Sequence, residues 1–342
     1  MINIAIIGAG YWGPNLIRNF VQLSEVDQII VCDIREDRLQ KMSSQYPKVK
    51  TTTCSEDIFK NSTIDAVDVA LPAQMHYTYT KKGLLAGKHV KVEKPLAVNT
   101  NEANELIDIA RNKNKILMVG HTFLYNPAVR KIKEYIKNGD LGEIYYIFSQ
   151  RLNLGKIRSD VNVMWNLAPH DISMVLYWLD ELPSKVSAKG VSFIQEGIED
   201  VVFMNLDFPS GKTAHFHVSW LDPSKTRKIV IVGSKKMIVY DDVSVDAKIT
   251  IYDKGIDKKN IMAELPEIES FGKFQLMQRS GDVLIPKIDF REPLSIECSE
   301  FVECIQNGRK PLADGINGYN VVNVLEKAQE SLNNMGIPIS LN

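Results

Sequence analysis

The chain has 342 residues, 41 basic and 42 acidic side chains for a net charge of -1, and 44% hydrophobic residues. That length predicts two domains, each able to bury its own core, and the balanced charge supplies neither the basic field that attracts nucleic acid nor an acidic tail. Cys32, Cys54, Cys298 and Cys304 fall at no metal-ligand spacing and no basic-then-apolar leader opens the chain, so a reducing cytoplasm is expected; Asp65 and Asp68 interrupt the apolar stretch Ile64 to Ala73, and no run approaches the roughly 18 residues of a membrane span.

The first apolar run, Ile2 to Ile7, reads as a strand and is followed at once by Gly8-x-Gly10-x-x-Gly13. Leu16, Ile17, Phe20 and Val21 then recur at helical spacing, with Pro14 tolerated in the first turn. Strand, glycine turn and helix in that order let a pyrophosphate approach the backbone and sit against the helix N-terminus, where free amides and the dipole favour anions. Gly8, Gly10 and Gly13 are therefore candidate cofactor residues, with Tyr11 and Trp12 placed to cover the phosphates by amide or ring. The next run, Gln28 to Cys32, ends in Asp33, twenty residues beyond Gly13, where a carboxylate accepts from the adenosine ribose hydroxyls. Arg35 and Arg38 lie close enough to meet a 2'-phosphate, but Asp33 would repel one, which favours NAD over NADP.

Further strands are expected at Ala66 to Ala70, His89 to Val92 and Ile116 to Val119. Between them Leu84 and Leu85 lie on a helix ending near Gly87, and Ala103, Leu106, Ile107 and Ala110 form the apolar stripe of another. This alternation is that of a doubly wound parallel sheet with right-handed crossovers, an NAD-binding Rossmann domain over residues 1–120.

After Gly120 the rhythm changes. Asn126-Pro127 reads as an N-cap with proline at the first helical position, opening a helix through Ile136 that stops at Asn138-Gly139. Strands then follow one another at Ile144 to Asn153, Lys185 to Phe193, Val201 to Phe208, Lys212 to Trp220, Thr226 to Val232 and Met237 to Tyr240. Turn signals such as Pro209-Ser210-Gly211 separate them, predicting a large, mostly antiparallel open sheet. Ala247 to Pro286 carries no clear pattern, and helices are expected at Leu294 to Gln306 and Tyr319 to Asn333. Residues 121–342 thus form an α+β domain, whose last helix is free to pack back on the first domain. In Lys212 to Trp220, Ala214, Phe216, Val218 and Trp220 alternate with His215, His217 and Ser219, the signature of a half-buried strand. The two histidines face either a metal or, as no third ligand is visible, a sheet surface or subunit interface.

Asp33, the segment Ala70-Leu71-Pro72-Ala73-Gln74-Met75-His76, Glu93-Lys94-Pro95 and Trp165 to Asp171 occur in order. With them, nearly the whole chain resembles the Gfo/Idh/MocA family, named for glucose-fructose oxidoreductase and inositol dehydrogenase. The resemblance implies that Lys94 sits beside both the nicotinamide and the substrate carbinol, where an ammonium stabilises a developing alkoxide or relays its proton. It further implies an Asp and a His four residues apart on one helix face, here Asn166 and His170. His170 keeps the group suited to proton exchange near neutral pH. Asn166 departs from the pattern, and relatives acting on UDP-linked N-acetylamino sugars and their uronates at C3 resemble this chain in that departure; Asn166 is alternatively an N-cap, and Asp171 a complement to the helix N-terminus.

By the same resemblance Leu71 and Pro72 line the adenine and ribose side and Glu93 contacts the nicotinamide ribose. His76 either approaches the cofactor or braces a loop. Tyr125, Asn126, Arg151, Asn153, Trp165 and Asn166 are the substrate candidates; Arg151 either grips a diphosphate or carboxylate bidentately or is a surface strand arginine. The expected activity is NAD-dependent oxidation of a sugar ring hydroxyl by a homodimer or homotetramer built on the second sheet, with no metal and no nucleic-acid or membrane partner. A free-sugar or inositol dehydrogenase and a catalytically silent NAD-binding sensor are the alternatives.

Overall fold

The computed structural model describes residues 1–155, 157–256 and 278–341. They divide into two compact units, residues 1–126 with 291–326 and residues 127–290 with 327–342. The first unit thus runs to Asn126, and the chain returns to it over residues 291–326.

The chain first lays down β1 (Ile2–Ile7), α1 (Gly13–Val21), β2 (Val26–Cys32), α2 (Glu36–Gln45), β3 (Val49–Thr52), α3 (Ser55–Lys60), β4 (Ala66–Val69), α4 (Ala73–Leu85), β5 (His89–Val92), α5 (Thr100–Asn112) and β6 (Leu117–Val119). A single 3-10 turn, Thr122–Tyr125, precedes α6 (Pro127–Lys137), β7 (Ile144–Leu152), α7 (Val163–Leu179), β8 (Lys185–Val191), β9 (Val201–Asp207), β10 (Thr213–Ser219), β11 (Thr226–Gly233), β12 (Met237–Asp241), β13 (Ile249–Ile256) and β14 (Gln278–Leu284). The chain closes with α8 (Pro293–Asn307), α9 (Gly315–Asn333) and β15 (Ile339–Ser340).

Among the described residues the first unit holds a six-stranded sheet in the order β3-β2-β1-β4-β5-β6, every pair parallel. The order reverses between β1 and β4, the topological switch point where doubly wound sheets bind ligands beyond the carboxyl ends of their strands. Strands covered on both faces are apolar, and Ile4, Ile6, Val67, Val90 and Val92 are fully buried. The edge strand β3 escapes a sequence reading because only Val49 of its four residues is buried. In α5, Ala103, Leu106 and Ala110 are buried as the stripe predicts, and Asn99 caps its start by accepting from the Glu102 amide at 2.9 Å.

The second unit carries a nine-stranded sheet among the described residues, ordered β14-β13-β12-β11-β7-β10-β9-β8-β15. Hairpins link β8, β9 and β10 on one side and β11, β12 and β13 on the other, while β7 is wedged between the two sets, parallel to β10 and antiparallel to β11. The inward residues of β10, Ala214, Phe216 and Val218, are buried with Val202, Met204 and Leu206 of β9, and α7 packs over this face. On the opposite face His215 stacks on Phe148 and His217 on Phe203, at ring separations of 5.3 and 4.4 Å. Among the described residues no cluster of metal-ligating side chains forms and no helix is long and apolar enough to cross a membrane. β13 and β14 fall in Ala247 to Pro286; the rest of that stretch, residues 257–277, lies outside the described residues.

Replacing Asn99 by Ala leaves one first-turn amide of α5 without its side-chain acceptor and should cost about 1 kcal/mol. Urea unfolding should show a lower midpoint at unchanged slope.

Candidate active site

Two of the three turn glycines are required by the protein itself. Gly8 adopts φ +107°, and a Cβ there would fall on the Ala70 carbonyl; one on Gly13 would fall on the Gly8 carbonyl. Gly10 differs, because its Cβ would meet nothing nearer than the Arg38 guanidinium at 3.6 Å. The open position is where a pyrophosphate needs room, and α1 begins beside it with no side chain capping its first turn. The residues therefore fit a dinucleotide. Asp33 is buried and oriented by the amides of Ala9 (2.7 Å) and Arg35 (2.9 Å), with the Arg38 guanidinium at 3.2 Å. The Arg35 side chain turns away and grips Asp37 with two hydrogen bonds of 3.0 and 2.6 Å.

Around this turn, Tyr11 is 96% exposed, Trp12 is half-buried, and Leu71 and Pro72 occupy the bend before α4. His76 is buried with Nδ1 2.6 Å from the Pro95 carbonyl and Nε2 2.8 Å from that of Leu71. The ring thus lies between the two carbonyls and when neutral donates to one of them; burial pushes the imidazole below its ordinary range, while the two carbonyls act to raise it.

Glu93 follows β5, and Gly120 lets it pack closely, since a Cβ there would stand 3.0 Å from both carboxylate oxygens. Burial raises the Glu93 carboxyl, while the Lys91 ammonium at 3.7 Å, Lys94 and the Trp12 indole N–H oppose the rise. Lys94 is half-buried at a cis Lys94–Pro95 bond. Near it lies His121, fully buried and driven down to about 3 by burial and by the charge of Lys94. Two substrate candidates at the end of this unit are interior: Tyr125 is fully buried with its hydroxyl accepting from the Ala313 amide at 3.2 Å, and Asn126 is buried. Tyr125 is a core residue and its ring has no surface to offer a substrate.

In the second unit Asn162 caps α7, accepting from the Trp165 amide at 3.1 Å, so Asn166 is not the cap. The Asn166 carboxamide instead accepts from the Trp220 indole at 3.3 Å. His170 stands one turn further on α7, half-buried like Asn166, and the spacing puts both on one face. The Trp165 indole donates to Gln329 at 3.2 Å, and the half-buried Asn153 hydrogen-bonds by its amide to the Ser219 carbonyl. Arg151 is corrected from both of its readings: it is buried and grips Asp171 through Nε at 3.0 Å and Nη2 at 2.6 Å. That pair ties β7 to α7, which also removes Asp171 from a helix-terminus role. Sequence reasoning missed Asp68, Lys91 and Glu297, which meet under Glu93. The available signal was a charge at the third position of each of the short strands Ala-Val-Asp-Val and His-Val-Lys-Val.

Residues 2–121 match the model of an oxidoreductase family with an NAD-binding Rossmann fold, and residues 129–239 match the GFO/IDH/MocA C-terminal domain. A UDP-N-acetylglucosamine 3-dehydrogenase of Acidithiobacillus ferrooxidans is 23% identical over 93% of each chain, and its crystal structure superposes with a TM-score of 0.81 at 21% identity over 98% of each. A myo-inositol 2-dehydrogenase of Thermotoga maritima is 25% identical over 71% of this chain and 76% of its own. A levoglucosan dehydrogenase in complex with NADH shares the fold at a TM-score of 0.83 and 18% identity, over 100% of this chain and 99% of its own. The fold and the glycine turn define an NAD-binding oxidoreductase. The chain belongs to the Gfo/Idh/MocA family.

The two kinds of glycine should separate experimentally. Gly10→Ala should keep the native melting temperature while weakening NAD binding about tenfold or more, roughly 1.4 kcal/mol. Gly13→Ala should instead lower stability by about 1–3 kcal/mol, because backbone must move. Calorimetric melting and NAD titration check both.

Proposed function

We propose that this chain oxidises the C3 hydroxyl of a UDP-linked N-acetylamino sugar, such as UDP-N-acetylglucosamine or its uronate, with NAD as hydride acceptor. The observation that carries the substrate class is Asn166 in place of an aspartate, one turn before His170 on α7. A neutral carboxamide, held by the Trp220 indole, leaves His170 without a carboxylate partner at that position. The UDP-N-acetylglucosamine 3-dehydrogenase matched along 93% of both chains supports the same reading.

Bound NAD takes the hydride at the nicotinamide ring, so the protein's task is the hydroxyl proton and the orientation of the reactants. Gly8, Gly10, Gly13, Tyr11 and Trp12 hold the pyrophosphate; Asp33, with Leu71 and Pro72, holds the adenosine; Glu93 holds the nicotinamide ribose. Lys94 donates to the carbinol oxygen as negative charge develops on it, which lowers the barrier most in a site that excludes water. His170 serves as the second proton-exchanging group, and Asn153, Trp165 and Asn166 present hydrogen-bonding or stacking groups to the sugar. The presence of both Lys94 and His170 favours an enzyme over a silent NAD-binding sensor.

The open sheet face supports a homo-oligomer. Tyr146 and Phe203 are exposed there beside the histidine–aromatic stacks, an apolar surface suited to a second copy of itself. Its free cysteines accord with a reducing cytoplasm.

Purified chain with NAD should form NADH when given UDP-N-acetylglucosamine or its uronate, read by nicotinamide absorbance. Lys94→Ala should bind NAD normally and lose about 100-fold or more in turnover. NADH formation from myo-inositol alone would instead assign a polyol dehydrogenase, and turnover unchanged in Lys94→Ala would remove that residue from the chemistry.

A further inference from the structure

The central strands of the first unit carry charge where such sheets are apolar. Asp68 on β4 and Lys91 on β5 are register partners, so both side chains leave the same face of the sheet. That face is met by Glu297 of α8, and Asp68, Lys91 and Glu297 are all fully buried. The Lys91 ammonium lies 2.9 Å from Glu297, 3.2 Å from Asp68 and 3.7 Å from Glu93. Lys91 and Glu93 are two residues apart along the chain, so the alternation that buries Lys91 also brings Glu93 over it. Glu93 is the one acid of the three with side-chain exposure, at 14%.

An internal ion cluster adds little stability over well-packed apolar residues, because desolvation offsets the attraction. Stability therefore gives no reason to place one ammonium among three carboxylates beneath the residue that precedes Lys94. We propose that Lys91, balanced by Asp68 and Glu297, is a positioning residue that holds Glu93 as an ionised hydrogen-bond acceptor for the cofactor ribose. This rests on the reading that Glu93 contacts the nicotinamide ribose.

The groups facing Glu93 set the direction of each effect. Lys91 on its own strand, Lys94 and the Trp12 indole stabilise its charge, and Asp68 on β4 opposes it. From α8, Glu297 and the Cys298 thiol belong to the same cluster, and Thr122 hydrogen-bonds Glu297. His121, past β6, is neutral through the ordinary pH range. Burial lifts Glu93 above its usual value, so a ribose bond that needs the carboxylate is lost as pH falls through that raised value.

The test is NAD binding, followed by calorimetry across acid to neutral pH, in four full-length proteins. The native chain should lose affinity on the acid side, and Glu93→Gln should change the midpoint of that loss. Asp68→Asn with Glu297→Gln removes the competing acids and keeps Lys91, so the acid midpoint should move down. Adding Lys91→Met to that pair leaves Glu93 as the last acid of the cluster, able to neutralise by taking up a proton, and should move the midpoint back up by about 1 pH unit or more, the usual effect of an opposite charge at this range. Coincident midpoints in the double and triple variants, with only melting temperatures altered, would overturn the positioning role while leaving Glu93 at the ribose. An acid limb with the same midpoint in Glu93→Gln as in the native chain would overturn the placement of Glu93 as well.

Discussion

The hydrogen bond from the Ala9 amide to the buried Asp33 carboxylate, 2.7 Å long, joins the end of one strand to the glycine turn that follows its neighbour. It depends on Gly8 adopting a backbone conformation closed to other residues and on Gly13 leaving room for the Gly8 carbonyl. With these in place the helix N-terminus, the Asp33 carboxylate and the uncrowded side of Gly10 converge at the sheet's switch point. The site is thus a consequence of how β1, β2 and α1 meet, and His76 extends the same order to the loop bearing Lys94 by engaging the carbonyls of Leu71 and Pro95.

The second unit solves a different problem with a comparable device. A broad sheet packed on one face by α7 needs that helix fixed in register, and the buried Arg151–Asp171 pair ties β7 to it. Asn162 fixes where the helix starts, and Trp220 meets Asn166 from the end of β10. Asn162, Asn166 and Arg151 are therefore held by hydrogen bonds internal to the unit.

Much of this was legible in the sequence because it rests on local chemistry. Glycines at fixed offsets, Asp33 at the end of an apolar run and alternation in Lys212 to Trp220 each specify geometry within a few residues. Long-range pairing was not legible. Arg151 reads as a ligand-binding arginine until Asp171 is seen beside it, and Tyr125 as a substrate contact until Ala313 encloses it. The Lys91 cluster needed β4, β5 and a helix some two hundred residues later to be assembled before its charges made sense. The cap alternative for Asn166 fails because the true cap, Asn162, lies one turn earlier with an equally suitable side chain.

The central claim is that the glycine turn, Asp33 and the Lys94 loop form one dinucleotide site whose amine serves the carbinol proton. A crystal structure with NAD tests it most directly. The claim predicts pyrophosphate against the open side of Gly10, both adenosine ribose hydroxyls on Asp33 with its Ala9 bond kept, and the Lys94 amine beside the nicotinamide. Dinucleotide density away from the turn, or a Lys94 amine directed into bulk solvent with the cofactor seated, would contradict it.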